Sequence, residues 1–462
     1  MDAASMHRWD DDAERLADLV VGFAEARLRT PKDPQWGAQP ATVLDAALGA
    51  TVAPTGIGAA EALRVFSEVV LPACRPMDDP LNLAYVPTAP SIASTLFDLV
   101  VSATSIMGAN WETGAGAIAA ENRAIRWLAD LAGFPGAAGG VFVSGGSAAN
   151  LSALVAARAR HRERRGYAGR CTVAATEEVH ASVRAAANVM DVDVLAVATD
   201  EAGRMTGPAL RAAIGSMDAE RRRGLFAVVA TGGTTNAGVV DDLAAVADAC
   251  DEHGLWMHVD GAYGLAALCS RVARGAFDGI ERADSFGVDP HKWLFAPYDC
   301  AALVYREPEA ATSAHAQHGA YLDAVDRAEW NPSDLAYHLS RRVRGLPLWF
   351  GLAAYGTDAY ADAVDASIEA ARHLAADIRA REGFRLLVEP TLSIVVFAVD
   401  GWTADDYARW SRQRAREGRF LVVPTSWKGL PCLRICLVNP RTERSALAEI
   451  LDDLAAGFPL SP

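Results

Sequence analysis

The sequence predicts an α/β protein: a large domain on a mostly parallel sheet, a helical segment before it and a small α+β domain after it. Three observations lead there. Short β-rich runs alternate with helical patterns between residues 141 and 305, as crossover units on a parallel sheet require. The N-terminal stretch shows helical periodicity followed by Pro-rich punctuation. The C-terminal stretch again mixes apolar runs with helical segments. The expected division is 1–75, 76–365 and 366–462.

In chain order, Leu16, Leu19, Val20, Phe23 and Ala24 give a helical face over 10–29, ended by Pro31, Pro34, Gly37 and Pro40. A second helix is expected over 57–71, and the apolar stretch 91–108, which contains Asp98, reads as a core helix. VFVS (141–144) is a strand and 148–166 a helix; CTVAA (171–175) is a strand, 180–190 a helix and VDVLAV (192–197) a strand. Helix 207–218, strand 226–231, helix 241–253 and strands 255–260 and 301–305 complete the alternation. A helical bridge is expected over 346–380, then strand 393–399, helix 403–417, strand 433–438 and a last helix over 442–455. Ligands of such sheets bind at the carboxyl ends of the strands, so the polar residues just past each strand are the candidates.

Composition narrows the function. With 43 Lys+Arg against 58 Asp+Glu among 462 residues, the net charge is −15. That disfavours non-specific binding to nucleic acid or anionic membrane, while leaving room for a local cationic pocket. Seven scattered cysteines without a CxxC fit a reducing compartment. The first residues are acidic where a secretory signal needs cations, so a cytoplasmic enzyme is expected. Residues 131–157 carry no charge and are numerous enough to span a bilayer. Pro135 and the glycines of that stretch make a strand, a glycine turn and a helix the better reading.

Two motifs carry chemistry. In WMHVDGAYG (256–264), His258 and Asp260 share one face at a strand's carboxyl end, and small residues follow as if something flat must approach. Asp260 also suits a cap for the next turn. In ADSFGVDPHKW (283–293), Lys292 follows Pro290, between His291 and Trp293, among Phe286, Val288, Leu294 and Phe295. Burial there is expected to depress its pKa and make the amine nucleophilic, as a Schiff-base lysine requires. Two loops after strands, Ser144–Gly145–Gly146–Ser147 and TGGTTN (231–236), offer N–H groups and hydroxyls to an anion. Neither matches a P-loop or a dinucleotide fingerprint. Phosphate loop, carboxylate and lysine together suit pyridoxal 5′-phosphate, whose ring nitrogen, aldehyde and phosphate need those three groups.

HVDxAY, ADSFxxxPHKW and the S-x-x-S-A glycine-serine loop make the chain resemble the group II pyridoxal-phosphate-dependent amino acid decarboxylases, with the aromatic-L-amino-acid enzymes as the nearest likeness. The resemblance implies a fold type I, aspartate-aminotransferase-like large domain on a seven-stranded sheet. It implies that Lys292 bonds the cofactor, Asp260 pairs with its ring nitrogen, His180 stacks on one ring face and Ala262 packs the other. Gly146, Ser147 and His291 correspond to phosphate contacts, and Thr235 to a threonine near the ring oxygen, with Thr234 as the adjacent contender. His258 resembles a family histidine behind the site. Tyr85, Val86 and Thr88 resemble the substrate-pocket segment, with Val86 where the aromatic-amino-acid enzymes usually carry Phe. Tyr321, on a loop after the lysine, is the implied proton donor to Cα; aldehyde-forming relatives tend to carry Phe there. Arg341, Arg342 and Arg344 resemble an arginine run that fixes the base of that loop. A homodimer with the active site at the subunit interface is expected, without metal, nucleic acid or membrane. The expected reaction turns an L-amino acid, aromatic by preference, into its amine and carbon dioxide. Alternatives are an acidic or basic substrate such as glutamate or 2,4-diaminobutyrate, or oxidative conversion to an aldehyde.

Overall fold

A computed structural model describes residues 5–30, 36–317 and 330–457. The chain opens with helix α1 (Asp11–Arg29), capped by the Asp10 carboxylate, which accepts from the Asp12 and Ala13 amides. Acidic residues fill its first turn and Arg27 and Arg29 its last, complementing the helix dipole. The short α2 (Ala41–Leu48) was not legible in the sequence pattern. The expected helix over 57–71 is α3 (Ala59–Val65) continued by a π turn, Phe66–Val70, and a 3-10 turn, Leu71–Ala73. Next come α4 (Ile92–Thr104) and α5 (Trp111–Leu131). The expectation of a core helix at α4 is corrected: only Ser94 and Val101 are buried, and Ile92, Leu96, Leu99 and Val100 are exposed. Its apolar composition serves a surface of the single chain.

The large sheet is assembled from β1 (Gly139–Val143), β2 (Thr172–Thr176), β3 (Asp193–Val197), β4 (Leu225–Thr231), β5 (Trp256–Asp260), β6 (Ser285–Val288) and β7 (Ala301–Tyr305). Between them run α6 (Gly146–Arg165), α7 (Ala181–Met190), α8 (Gly207–Gly215), α9 (Ala219–Gly224), α10 (Leu243–His253) and the one-turn α11 (Pro290–Trp293). The order is β1-β7-β6-β5-β4-β2-β3, with β3, β2, β4, β5 and β6 parallel and β7 antiparallel to both neighbours. β6 is only four residues long and lies inside the lysine motif, which hid its strand character. One apolar layer, with α5, α8 and α10, covers one face; a second, with α6, α7 and α12 (Glu309–His315), covers the other. Strands buried on both sides read as unbroken apolar runs, as β4 does. In passing from β1 to β2, α6 packs across β4, β5, β6 and β7, which suspends its first turns above the carboxyl end of β5.

α13 (Leu346–Tyr355) and α14 (Thr357–Arg379) are two helices where one bridge was expected; Gly356, at φ +79°, separates them. α14 runs through the expected 365/366 boundary. Beyond it, β8 (Phe384–Val388), β9 (Ile394–Val399), α15 (Ala404–Arg416), β10 (Val423–Trp427), β11 (Leu430–Cys436) and α16 (Arg444–Ala455) form an antiparallel sheet, order β10-β11-β9-β8, with helices. Thr403 and Asp406 make a capping box at α15. The Tyr263 hydroxyl, 2.6 Å from Ser393 Oγ, joins this unit to the large sheet. Among the described residues no helix is long and apolar enough to cross a membrane.

Candidate active site

A cavity of about 260 Å³ lies where β5, β6 and the start of α6 meet. Lys292, Asp260, His180, Ala262, Gly146, Ser147 and His291 all line it, so the two sequence motifs and the glycine loop converge. At the end of β5 the buried Asp260 carboxylate accepts from the Ala262 amide at 3.2 Å and from Asn150 Nδ2 at 2.8 Å. It therefore both caps the turn after the strand and faces the cavity. The first N–H groups of α6 have no partner in their own helix and sit with the Ser144 and Ser147 side chains at one end of the cavity. A Cβ on Gly146 would lie 2.9 Å from the Ala262 Cβ, so only glycine lets the helix start so close to that wall.

Lys292 sits one helical turn beyond Asp289, its Nζ 2.9 Å from Asp289 Oδ2. Here the structure corrects the expected pKa. Burial works to lower it, but the Asp289 charge and hydrogen bond, with help from Asp260, outweigh burial and hold the amine above its ordinary value. His291 Nδ1 accepts from the Cys300 amide at 3.1 Å, and its Nε2 lies 3.7 Å from Asp289 Oδ2. Burial moves His291 downward. His180 caps α7, its Nδ1 accepting from the Ser182 amide at 3.2 Å.

Other expected residues lie elsewhere. Thr235 is exposed at a turn and does not line the cavity, while the adjacent Thr234 is buried and accepts from the Val239 amide at 3.1 Å. The TGGTTN loop thus closes on itself rather than on the cavity. Tyr85 is exposed with φ +55°, its carbonyl held at 2.7 Å by Arg434 Nη1. Val86 and Thr88 are buried. Thr88 lines a neighbouring groove of about 600 Å³, and Tyr298 lines both groove and cavity. Tyr321 lies outside the described residues. Arg341 pairs with Glu121 of α5, Arg342 with Asp98 at 2.8 Å and Arg344 with Asp299 at 2.8 Å. The run ties α5, α4 and the segment after Lys292 together.

Sequence reasoning missed Asp289, Asn150, Ser182 and Tyr298. Asp289 was findable, since it follows β6 as Asp260 ends β5 and stands three residues before the lysine. Asn150 and Ser182 give no local signal. His258, fully buried behind Asp260, bonds Ser285 Oγ at 2.8 Å and Asn150 Oδ1 at 2.9 Å. Burial lowers its pKa to about 4 against the Asp260 charge. Between pH 6.5 and 4 the unfolded histidine takes a proton that the folded one refuses, so stability is lost as pH falls. The loss expected from this group is about 3 kcal/mol. Urea midpoints measured across that range should fall more steeply for the wild type than for His258→Gln; parallel curves would refute the assignment.

The residues present fit a phosphorylated pyridine aldehyde: an amine, a carboxylate opposite, and a helix N-terminus with hydroxyls at one end. Asp289 Oδ1, buried without a partner, marks the cavity as built to receive a further polar group. That combination on a seven-stranded α/β sheet defines a pyridoxal-phosphate enzyme. The chain belongs to the pyridoxal-dependent decarboxylase family, whose conserved-domain model matches residues 60–400. It is 31% identical over 393 residues to an aromatic-L-amino-acid decarboxylase of Bacillus atrophaeus, covering 82% of this chain and 81% of that protein. It is 30% identical over 408 residues to an L-2,4-diaminobutyrate decarboxylase of Rhizobium meliloti, covering 86% and 81%. The crystal structure of Oryza sativa TDC with PLP and tryptamine superposes with TM-score 0.89 at 24% identity, over 97% of this chain and 98% of that one. Mouse CSAD superposes with TM-score 0.86 at 26% identity, over 96% and 98%. The protein is a pyridoxal-phosphate-dependent amino acid decarboxylase.

Proposed function

We propose that the substrate is an L-amino acid with an aromatic side chain, converted to its amine and carbon dioxide. The observation that carries this is the groove beside the cavity, walled by Ile92, Phe295, Pro297, Tyr298, Tyr355 and Tyr360. Its one carboxylate, Asp78, already has a cation beside it. Arg27 Nη2 lies 3.2 Å from the Asp78 carboxylate, and Arg441 donates to the Asp78 carbonyl at 2.6 Å. An apolar ring needs no polar partner there, whereas a basic side chain would need a free carboxylate. The match to the diaminobutyrate enzyme supports a basic amino acid as the second reading.

Pyridoxal phosphate, when bound, supplies the electron sink for the pair left by departing carbon dioxide. In this reading the amine of Lys292 would anchor the cofactor, Asp260 would hold a proton at the ring nitrogen, and His180 and Ala262 would enclose the ring. The α6 start, with Ser147 and His291, holds the phosphate. Tyr321 delivers the proton to Cα, a role that rests on the family resemblance.

We also propose a homodimer. α1 to α3 bury no side chain in the single chain, and α1 exposes Leu16, Leu19, Val20 and Val21 while α4 exposes Ile92, Leu96, Leu99 and Val100. A second copy is the occupant that would cover such faces; sedimentation at the mass of one chain would refute it. Substrate class is tested by incubating holoenzyme with a panel of aromatic, acidic and basic L-amino acids and scoring carbon dioxide, amine and aldehyde together. Turnover confined to acidic or basic members overturns the aromatic reading. For Tyr321→Phe, amine output should drop by about 10²-fold or more, with aldehyde and oxygen uptake appearing. Unchanged amine without aldehyde would remove Tyr321 from the mechanism.

A further inference from the structure

Period-two alternation puts Trp256, His258 and Asp260 in line on one face of β5, and all three are buried. Ser285 of β6 stands beside them, with Asn150 of α6 and Ser182 of α7 above; these three are buried too. Trp256 Nε1 donates to Ser285 Oγ at 2.9 Å, and Ser285 Oγ lies 2.8 Å from His258 Nδ1. His258 Nε2 lies 2.9 Å from Asn150 Oδ1. Asn150 Nδ2 donates to Asp260 Oδ2 at 2.8 Å and to Ser182 Oγ at 2.9 Å. Ser182 Oγ lies 2.8 Å from His180 Nδ1.

Proton positions follow from the two ends. An indole N–H can only donate and a carboxylate can only accept. Asn150 must turn its amide NH₂ to Asp260, which leaves its oxygen for His258; His258 must then carry its proton on Nε2 and accept at Nδ1. Ser285 therefore donates to His258 while accepting from Trp256. At the other branch Ser182 accepts from Asn150, and the lone pair of His180 Nδ1 is already turned toward the Ser182 backbone and hydroxyl. Every donor points toward the cavity, and bonds aligned in this way polarise one another. A protonated His258 would reverse one link; its burial opposes that.

We propose that Trp256, Ser285, His258, Asn150 and Ser182 are positioning residues forming one directional hydrogen-bond chain, branched at Asn150, that fixes the Asp260 carboxylate as a pure acceptor and presents His180 with its proton on Nε2. This rests on the roles of Asp260 and His180 proposed above. It makes residues that never touch the cavity, Ser285 and Trp256, determinants of how tightly the ring nitrogen is held. It also couples the two groups on which the cofactor ring depends through one amide.

The test is two-bond proton–nitrogen correlation on holoenzyme labelled with ¹⁵N-histidine, with His258→Gln and His180→Gln giving the assignments, alongside the cofactor dissociation constant. In the wild type both histidines should be Nε2–H. In Asn150→Leu, of similar size, His258 loses its acceptor and should flip to Nδ1–H, donating to Ser285. Cofactor dissociation should rise about fivefold or more, the equivalent of one lost hydrogen bond. Ser285→Ala should weaken cofactor binding by a smaller factor, and Ser285→Thr should restore it, which a merely space-filling role would not do. A wild-type His258 protonated on Nδ1, or Asn150→Leu with unchanged tautomer and unchanged cofactor affinity, overturns the proposal. Asp260→Asn separates the two levels: undiminished cofactor affinity there, with the expected wild-type tautomers, refutes the role of Asp260 and not the chain.

Discussion

Lys292→Ala is expected to lower turnover by at least about 10⁴-fold, roughly 5 kcal/mol of barrier, and to abolish the visible absorbance of the lysine-bound cofactor. Two effects combine. The variant loses the amine proposed to anchor the aldehyde, and it strips Asp289 of its cation. The Asp289 side chain is 2% exposed, so its carboxylate would be left without its cation in the wall of the site. Lys292 itself is about a fifth exposed, which lets water replace part of the lost pairing and keeps the stability loss modest. Lys292→Ala with Asp289→Asn should therefore recover stability while remaining inactive. Activity and absorbance retained in Lys292→Ala would place the chemistry elsewhere.

Arg341→Met is expected to cost about 3–5 kcal/mol of stability without any contact to the cavity. The Arg341 side chain is 0% exposed and pairs with Glu121, itself 3% exposed. Arg341 Nη1 donates to the Gly108 carbonyl at 2.8 Å, and Glu121 Oε1 accepts the Gly345 amide at 2.8 Å. The methionine fills much of the space but leaves a bare carboxylate in the core. Arg341→Met with Glu121→Leu should regain most of the loss, since removing both charges removes the desolvation cost as well. Urea midpoints of the four species, read as a double-mutant cycle, check this. Additive losses would mean that the pair contributes nothing as a pair.

Much of the fold was legible because strands buried on both faces announce themselves as apolar runs, and the half-exposed edge strand β3 carries such a run as well. β1 to β5, β7, β9 and β11 were all anticipated within a few residues, as were α6, α7, α8, α10, α15 and α16. β6 was missed because four residues within a motif give no period to count. α4 was misjudged because apolar content marks a face that must be covered without saying by what. The cavity's main groups were legible for a different reason: Lys292, Asp260 and the glycine-serine loop owe their places in its lining to local chain geometry at strand ends.

The sign of the Lys292 shift was not foreseen, because apolar neighbours in the chain drew attention away from an acid one turn back. Thr235 shows the opposite limit. A motif places a residue on a loop, and the loop's own closure decides where the side chain goes. From the amino acids alone came the kind of chemistry: an amine, a carboxylate and a glycine-serine loop, each made by residues adjacent in the chain. The folded molecule decided what those groups lean on. Asp260 meets Asn150 from 110 residues away and His258 meets it from 108. Such hydrogen-bond partners are chosen by the path of α6 over the sheet, and no pattern of neighbouring residues encodes that path.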